Sequence, residues 1–371
     1  MLRLERRPEP SIVMRYGAPM LAVGLTMLAG LALFSALGKA PFQAIGLIFF
    51  KPLLSLKSIS ELIVKATPLI LIAIGLAIGF RAGVWNIGAE GQFVAGAVAG
   101  GAVALAVYPA NGAWLLPLMC VAGALGGMAW AAIPALLRTR YNASEILVSL
   151  MLVYVATLAL SVLVHGPLRD PDGHNFPESR LFQPSALLPA LLPGTRAHVG
   201  FLVALAAAAA AWVLLERHIF GFQVKVLGQA ERAARFAGVS SKRVVWLCLL
   251  LSGGLAGLAG LFEAAGPVGQ LVPALPVGYG FAAIIVAFLG RLHPVGIVAA
   301  GLLLALTYIG GEMAQIAMSL PSATTSVFQG LLLFFLLASD VFVDHRLRWI
   351  HGKPSVGAVQ VPTAAASKPA E

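Results

Sequence analysis

The chain has 371 residues, of which 59% are hydrophobic and only 11% are charged, and its formal net charge is +10. A soluble domain carries roughly 25% charged residues, so the composition excludes an ordinary water-soluble fold and predicts an all-α, polytopic helical membrane protein. The basic residues lie in short segments between apolar stretches, with no basic face interleaved with aromatic rings. This pattern argues against nucleic acid as a partner and for membrane lipid as the surroundings.

Apolar segments long enough to cross a bilayer recur along the sequence, since one helical crossing needs roughly 20 apolar residues. Residues 1–16 form a short cytoplasmic N-terminal segment, and residues 17–340 form the predicted transmembrane domain. The first apolar run is too long for the core of a signal peptide, so we expect it to be retained. The predicted spans are 17–38, 62–80, 92–108, 113–137, 145–165, 198–215, 244–262 and 323–338.

Two further apolar stretches do not fit a simple span. Residues 41–50 have the length of a short interfacial helix. Residues 281–311 are interrupted by Gly290, Arg291, His293 and Pro294, and they fit a tilted span, a re-entrant hairpin or two broken helices. The sequence leaves open whether Arg291 lines a path or extends to an interface.

The loop charges predict the orientation of the chain. Residues 1–15, 138–145 and 216–243 are rich in arginine and lysine, which places them in the cytoplasm, whereas residues 166–197 balance their charges and belong outside. Eight full spans place both termini in the cytoplasm, and a hairpin at 281–311 keeps that parity. Residues 341–371 form a predicted cytoplasmic tail, which we expect to be disordered after residue 351 because of its composition.

The most informative stretch is GVWNIGAEGQ, residues 83–92, which we call the polar break. It carries Asn86, Glu90 and Gln92 between two apolar segments, with Gly88 and Gly91 between the polar residues. Irregular backbone inside a bilayer persists only against protein or a water-filled path, and an ionisable residue there indicates a functional site. We therefore predict that these five residues belong to a substrate path. A short cytoplasmic turn with capped helix ends is the alternative.

Other chemistry-bearing residues give weaker signals. Glu263 and Glu312 lie near predicted span ends, where we expect solvated carboxylates. Cys120 and Cys248 each lie in an apolar span and fit small hydrophobic residues better than a metal site. The sequence contains no GxxxxGK[ST] run and no paired carboxylates, histidine cluster or activated nucleophile. We therefore expect a protein that is not an enzyme, and whose energy source is a partner chain or a coupled ion.

Residues 228–238, which we call the docking segment, stand out in the basic loop 216–243. We predict a short helix there with a left-handed cap at Gly238. Its charged side chains point away from a face of small residues, namely Ala230, Ala233, Ala234 and Ala237. Such a helix fits a groove on a partner or rests on headgroups, and alanine offers little area for anchoring in a membrane.

Four stretches together resemble the permease subunits of ATP-binding-cassette importers, in the branch that handles nucleosides and simple sugars. That branch belongs to the wider ribose and branched-chain amino acid permease group. The stretches are residues 66–92 with the NIGAEGQ core, 145–154, 228–238 and 278–296, and they extend over most of the chain. One departure concerns Val153, where members of the nucleoside branch often carry asparagine. It affects the exact solute more than the class.

The resemblance implies about ten membrane segments, some of them broken, in the inner membrane of a bacterium. It implies half of a channel that pairs with a second permease, two cytoplasmic ATP-binding subunits and an external solute-binding protein. ATP would be hydrolysed by the partners, and this chain would need no cofactor. The docking segment would couple to the ATPase through Gly228, Glu231, Ala233, Ala234, Arg235 and Gly238.

Two other functions remain open from the sequence. One is a permease of the same group for branched-chain amino acids or another small polar solute. The other is a stand-alone secondary transporter, against which the small number of buried charges argues.

Overall fold

The structure is a computed structural model that describes residues 2–6, 12–173, 176–321 and 323–349. The described chain is mostly helical, which confirms the predicted all-α class. The helices are α1 (Ile12–Ala36), α2 (Pro41–Phe49), α3 (Leu56–Arg81), α4 (Ala89–Ala106), α5 (Leu115–Tyr141), α6 (Glu145–His165), α7 (Gly200–Glu216), α8 (Ile219–Gln229), α9 (Glu231–Phe236), α10 (Ser241–Glu263), α11 (Tyr279–Leu289), α12 (Pro294–Met318) and α13 (Ala323–Asp344).

Two short strands that the sequence analysis did not predict join the ends of the described chain. Strand β1 (Leu2–Arg6) pairs antiparallel with β2 (His345–Trp349). The two terminal segments therefore lie next to each other. The predicted disorder after residue 351 lies outside the described residues.

Seven helices in the described part of the chain are long and apolar enough to cross a membrane, and α7 with the bent α8 adds an eighth if that pair counts as one span. The seven are α1, α3, α4, α5, α6, α10 and α12. Each predicted span overlaps a helix, but α13, which overlaps the predicted span 323–338, is not among these candidates. The prediction for α6 matches residue for residue, whereas α3 begins at Leu56 and not at residue 62.

Helix α3 is the central helix of the bundle. In its apolar window 89% of the residues are buried, against 22% in α5 and in α6. Helices α7, α10, α11 and α12 all pack against it. Its sequence is apolar on every side after Lys65, which is typical of a helix surrounded by protein.

Glycine residues set the close packing of α4, α5 and α10. A Cβ atom on Gly96 of α4 would lie 2.1 Å from the Cα of Gly257 on α10, and one on Gly127 of α5 would lie 2.1 Å from the carbonyl oxygen of Gly253. Small residues at helix contacts are the usual means of bringing backbones together in a membrane. This packing fixes α4, which carries the second half of the polar break.

Residues 281–311 form a hairpin with arms of unequal length. Gly290 packs against Gly296, and Val286 lies near Gly301. Each contact therefore joins residues on the two arms that are similarly far from the turn, as in an antiparallel hairpin. The first arm, α11, has 11 residues and is about 16 Å long, roughly half of a 30 Å hydrocarbon core. Of the three predicted alternatives, the hairpin is the one that the structure shows. Its first arm is a half-length helix and its second arm, α12, is a full-length one.

Residues 41–50 form helix α2, as predicted, but not as a helix that lies only on headgroups. Ala44 and Ile48 are buried. A Cβ atom on Gly310 of α12 would lie 1.9 Å from the carbonyl oxygen of Ile48. Helix α2 is therefore inserted against α12, because the glycine leaves room for its backbone.

Candidate functional site

The polar break lies inside the bundle. Its polar side chains are almost fully buried, with exposed fractions of 1% for Asn86, 3% for Glu90 and 1% for Gln92. The chain leaves α3 through Gly83, whose φ of +71° suits glycine, and runs without helical structure until Ala89. These three side chains are therefore covered by protein and are not exposed at a turn.

Side chains at the start of α6 accept the backbone N–H groups of the break. Trp85 N donates to Glu145 Oε1 at 3.3 Å, and Ile87 N donates to Ser149 Oγ at 3.2 Å. Glu145 also forms an ion pair with Arg138. Backbone donors without a helical partner need such acceptors, so helix α6 stabilises the non-helical segment.

Asn86 and Gln92 bind each other. Asn86 Nδ2 donates to Gln92 Oε1 at 2.8 Å and to Ser252 Oγ of α10 at 2.9 Å. Gln92 Nε2 and Gly88 N donate back to Asn86 Oδ1, at 3.0 and 3.2 Å. Asn86 thus uses both amide hydrogens and both acceptor positions of its side chain inside the protein. This network fixes the shape of the break.

Glu90 joins the N-termini of two helices. It lies in the first turn of α4, and its carboxylate accepts N–H groups at the start of α11. Gly278 N donates to Oε1 at 2.7 Å, and Gly280 N donates to Oε2. A Cβ atom on Gly280 would lie 2.2 Å from Glu90 N, so glycine is what allows this contact. An acidic side chain at the positive end of two helix dipoles is in a favourable place.

Gly88 and Gly91 bring the break against α6. A Cβ atom on Gly88 would lie 2.5 Å from the carbonyl oxygen of Ser149, and one on Gly91 would lie 3.0 Å from the Cα of Val153. Val153 is the position at which the resemblance expects asparagine. Its side chain therefore lies directly beside the break.

An open cleft of about 380 Å³ has Glu90 in its wall. The other lining residues are Val153, Tyr154, Thr157, Leu158, Pro276, Gly278 and Phe281. The cleft combines one carboxylate, a hydroxyl and two partly exposed aromatic rings with apolar walls. Such a mixture suits a small polar solute with a flat or ring-shaped face.

The sequence analysis missed Tyr154, Thr157 and Phe281 as lining residues. Tyr154 and Phe281 lie in two of the four stretches that carry the resemblance, which was the available signal. Thr157 lies one helical turn beyond Val153 on α6, so only the helix geometry places it in the cleft.

A second buried acid, Glu263, contacts Tyr279, the residue between the two glycines that bind Glu90. Glu263 is 8% exposed, and Tyr279 Oη donates to its Oε1 at 3.5 Å. Lys65 Nζ lies 5.6 Å from the centre of the Tyr279 ring. The expectation of a solvated carboxylate is wrong for Glu263, because a π-helical turn continues α10 inside the bundle, whereas Glu312 is exposed.

The docking segment is split between two helices. Gly228 belongs to the last turn of α8, which ends at Gln229. The chain turns at Ala230, and α9 contains only Glu231–Phe236. Gly238 has a φ of +77° and forms the predicted left-handed cap. The short helix expected for residues 230–238 is therefore present, but it contains only six residues between Ala230 and Ala237.

The exposed side of α9 agrees with the expectation only in part. Ala234 is fully buried, whereas Ala233 and Arg235 are exposed, and Arg235 Nη2 lies 2.8 Å from Glu231 Oε1. Phe236 is 94% exposed. The segment therefore presents an aromatic ring and charges together with three of the four predicted alanines, Ala230, Ala233 and Ala237.

The segment between α6 and α7, which was predicted to lie outside, contains ion pairs between its own charged side chains. Arg180 lies 3.3 Å from Asp170 and 3.1 Å from Asp172, and its guanidinium lies 5.0 Å from the centre of the Tyr108 ring. Burial lowers the pKa of His198 to about 4, so this histidine is neutral at physiological pH.

Within the described residues, no group of three or more His, Cys, Asp or Glu side chains is placed to hold a metal ion. Cys248 is buried, with Sγ 3.9 Å from the carbonyl oxygen of Ile78, and Cys120 is partly buried. Both cysteines pack as small apolar residues, as their positions in the sequence predicted.

Known proteins resemble this chain over most of its length. The sequence profile of the family described as "Branched-chain amino acid transport system / permease component" matches residues 58–337. A glucose ABC transporter permease of Haloferax volcanii is 38% identical over 357 residues, which cover 93% of each chain. A guanosine ABC transporter permease of Bacillus subtilis is 29% identical over 341 residues, covering 90% of this chain and 95% of that one. A nucleoside ABC transporter permease of Lactococcus lactis is 26% identical over 326 residues, covering 86% and 89%.

Proposed function

This chain belongs to the permease-component family of the branched-chain amino acid transport system, and from that premise we propose that it forms half of the translocation path of an ATP-driven importer for nucleosides or simple sugars. One observation carries the proposal. Glu90, a buried carboxylate, lies in the wall of an open cleft at the point where the N-termini of α4 and α11 meet. In membrane proteins such an acid marks a solute path, and broken helices contribute their N-termini to it.

The chemistry of the cleft supports a polar, ring-shaped solute. Tyr154 and Phe281 offer ring faces, and Thr157 and Glu90 offer polar atoms. The relatives in Haloferax volcanii and Bacillus subtilis are described as permeases for glucose and guanosine, and both solutes fit that chemistry. Asn86 and Gln92, with Gly88 and Gly91, hold the path in shape.

The proposed partners follow from membership of an importer. A second permease, similar or identical, completes the path, two ATP-binding subunits dock on the cytoplasmic side, and an external protein delivers the solute. The docking segment contacts the ATPase through Phe236 and its neighbours on α9. The partners hydrolyse ATP, while this chain makes and breaks no covalent bonds and needs no cofactor.

The proposed location is the inner membrane of a bacterial cell, with both termini in the cytoplasm. The pairing of β1 with β2 supports two termini on one side. The arginine- and lysine-rich loops on that side support the cytoplasmic assignment.

A branched-chain amino acid is the second candidate solute, because the description of the family names that class. The cleft favours it less, since its two aromatic rings suit a flat or ring-shaped solute better than a branched aliphatic side chain.

Purification of the tagged chain in mild detergent, followed by mass spectrometry, tests the assembly. We expect an ATP-binding subunit and a second permease to accompany it. The recovered complex, with its binding protein, is then reconstituted for uptake of labelled guanosine, glucose and leucine. If leucine alone is taken up, branched-chain amino acids replace nucleosides and sugars as the proposed solutes. Uptake without ATP hydrolysis would contradict the assignment as an ATP-driven importer.

A further inference from the structure

Helix α11 is held at both ends by charged side chains from one short stretch of chain. Glu90 accepts the N–H groups of Gly278 and Gly280 at its N-terminus. At the other end, Arg81 Nε donates to the carbonyl oxygen of Leu292 at 2.9 Å. An anion at the N-terminus and a cation at the C-terminus both match the helix dipole. The two residues are only nine positions apart, yet they bind opposite ends of α11.

The carbonyl that Arg81 binds is rigidly attached to α11. Leu292 N donates to Ala287 O at 2.8 Å, and Arg291 N donates to Phe288 O at 2.9 Å. Arg291 and Leu292 both have positive φ, of 56° and 53°. These are the bonds of a Schellman cap, so Leu292 moves with the helix that it ends.

Arg81 also contacts α7 and α8, the two helices that precede α9. Its Nη1 lies 2.8 Å from Oε1 of Glu216, the last residue of α7. A Cβ atom on Gly228, near the end of α8, would lie 2.0 Å from the Arg81 carbonyl oxygen. Helices α7 and α8 thus contact α3 at the residue that binds the C-terminal cap of α11.

We propose that Arg81 is a positioning residue which, with Glu90, makes α11 and the polar break one rigid body. A displacement of α8 and α9 then moves the N-terminus of α11, which forms part of the cleft wall. This inference rests on the proposed function, because it assigns the connection between the docking segment and the solute path. Its structural part can be tested without that function.

The alternative is that Arg81 serves only as an ion-pair partner for Glu216 at the end of α7. Two variants separate these roles. Glu216→Gln removes the ion pair and leaves the bond from Arg81 to Leu292, whereas Arg81→Gln removes both. Arg81→Lys keeps the charge with a single donor group. Arg217→Gln is the matched control, because Arg217 lies at the same helix end but stacks on Trp212, 5.5 Å away.

The first test is hydrogen–deuterium exchange of the full chain in detergent, followed at residues 279–292. We expect Arg81→Gln to speed exchange there about tenfold, since the C-terminal cap of α11 loosens. Glu216→Gln and Arg217→Gln should leave it within about twofold of the wild type. Unchanged exchange in Arg81→Gln, or an equal effect of Glu216→Gln, would overturn the rigid-body assignment.

The second test uses the complete complex in proteoliposomes, with guanosine or glucose as the probe, and measures solute taken up per ATP hydrolysed. We expect Arg81→Gln to keep the ATP-binding subunit bound and to lower this ratio about fivefold or more. Arg81→Lys should recover more than about half of it, and Arg217→Gln should equal the wild type. A proportional fall of uptake and hydrolysis in Arg81→Gln would contradict the proposal.

The two tests separate failure of this inference from failure of the proposed function. If the wild-type complex takes up neither probe, the importer assignment fails, while the exchange experiment still decides whether Arg81 holds α11. If the wild type transports a probe but exchange and ratio are both unchanged in Arg81→Gln, the link fails and the importer stands.

Discussion

The polar break and the docking segment look similar in sequence and differ in almost every physical respect. Both are short, polar and bounded by glycine. In the break, the side chains of Asn86 and Gln92 are buried and bind each other. In the docking segment, α9 buries Ala234 and leaves Phe236 almost fully exposed.

This difference follows from what surrounds each segment. The break runs between α6 and α10, which supply hydrogen-bond acceptors at the required places, so its polar groups stabilise one shape. Helix α9 has only six residues and few neighbours, so its side chains are available to a partner. We therefore expect substitutions in the break to lower stability and transport together, and substitutions of exposed side chains in the docking segment to lower assembly alone.

The largest effect should come from Asn86→Leu. The change leaves polar groups of Gln92, Ser252 and Gly88 without their partner, and each unsatisfied buried group costs about 1–3 kcal/mol. We expect the apparent melting temperature in detergent to fall by about 5–10 °C. Asn111→Leu is the control, since Asn111 is exposed and accepts one hydrogen bond, from Ser185 at 3.1 Å. Equal stability of the two variants would show that the break is not a structural network.

Glu90→Gln should have the next largest effect. A glutamine offers one acceptor oxygen where the carboxylate offers two, and its amide group would face the N–H of Gly278 or Gly280. We expect normal membrane insertion, a loss of about 1–3 kcal/mol in unfolding free energy and at least about tenfold slower uptake. The exposed Glu312 provides the control variant, Glu312→Gln. Wild-type uptake by Glu90→Gln would remove Glu90 from the solute path.

The spans could be predicted because apolar length is a local property of the sequence. Glycine and polar residues likewise marked the break and the docking segment. The partners of those residues could not be predicted, because they come from distant parts of the chain. The bond from Gly278 to Glu90 joins residues 188 positions apart, and that from Arg81 to Leu292 joins residues 211 apart. Nothing in the local pattern shows that one stretch caps both ends of α11.

The docking segment shows a second limit of the sequence. Helical spacing placed four alanines on one face, but the chain turns at Ala230, so only Ala234 packs against the bundle. A turn of that kind depends on where α8 ends, and α8 ends where Gly228 meets α3. Tertiary packing therefore decided which face of α9 is free.

Phe236→Ala should weaken assembly without weakening the fold. The ring is 94% exposed, so its loss removes little burial within this chain. Exposed aromatic residues are frequent hot spots of interfaces, and we expect about tenfold weaker association with the ATP-binding subunit at an unchanged melting temperature. Phe176→Ala, in the predicted outer segment and 65% exposed, should change neither quantity.

The contrasting variant in the same helix is Ala234→Glu. It places a carboxylate where the side chain is fully buried, so both association and the order of α9 should be lost. Association that survives Phe236→Ala and Ala234→Glu alike would mean that the ATP-binding subunit docks elsewhere.

The smallest effect is expected from Arg235→Gln, which separates the charge of the docking segment from its shape. Arg235 and Glu231 form an exposed pair one helical turn apart, 70% and 56% exposed, and such pairs contribute about 0.3–0.5 kcal/mol to a helix. The melting temperature should therefore stay the same. If Arg235 faces acidic groups on the ATP-binding subunit, association should weaken about threefold at low ionic strength and remain at the wild-type value in about 1 M salt, where charges are screened within 3 Å. A loss that persists in high salt would assign Arg235 to the packing of α9, and no loss at low salt would leave Phe236 as the main contact.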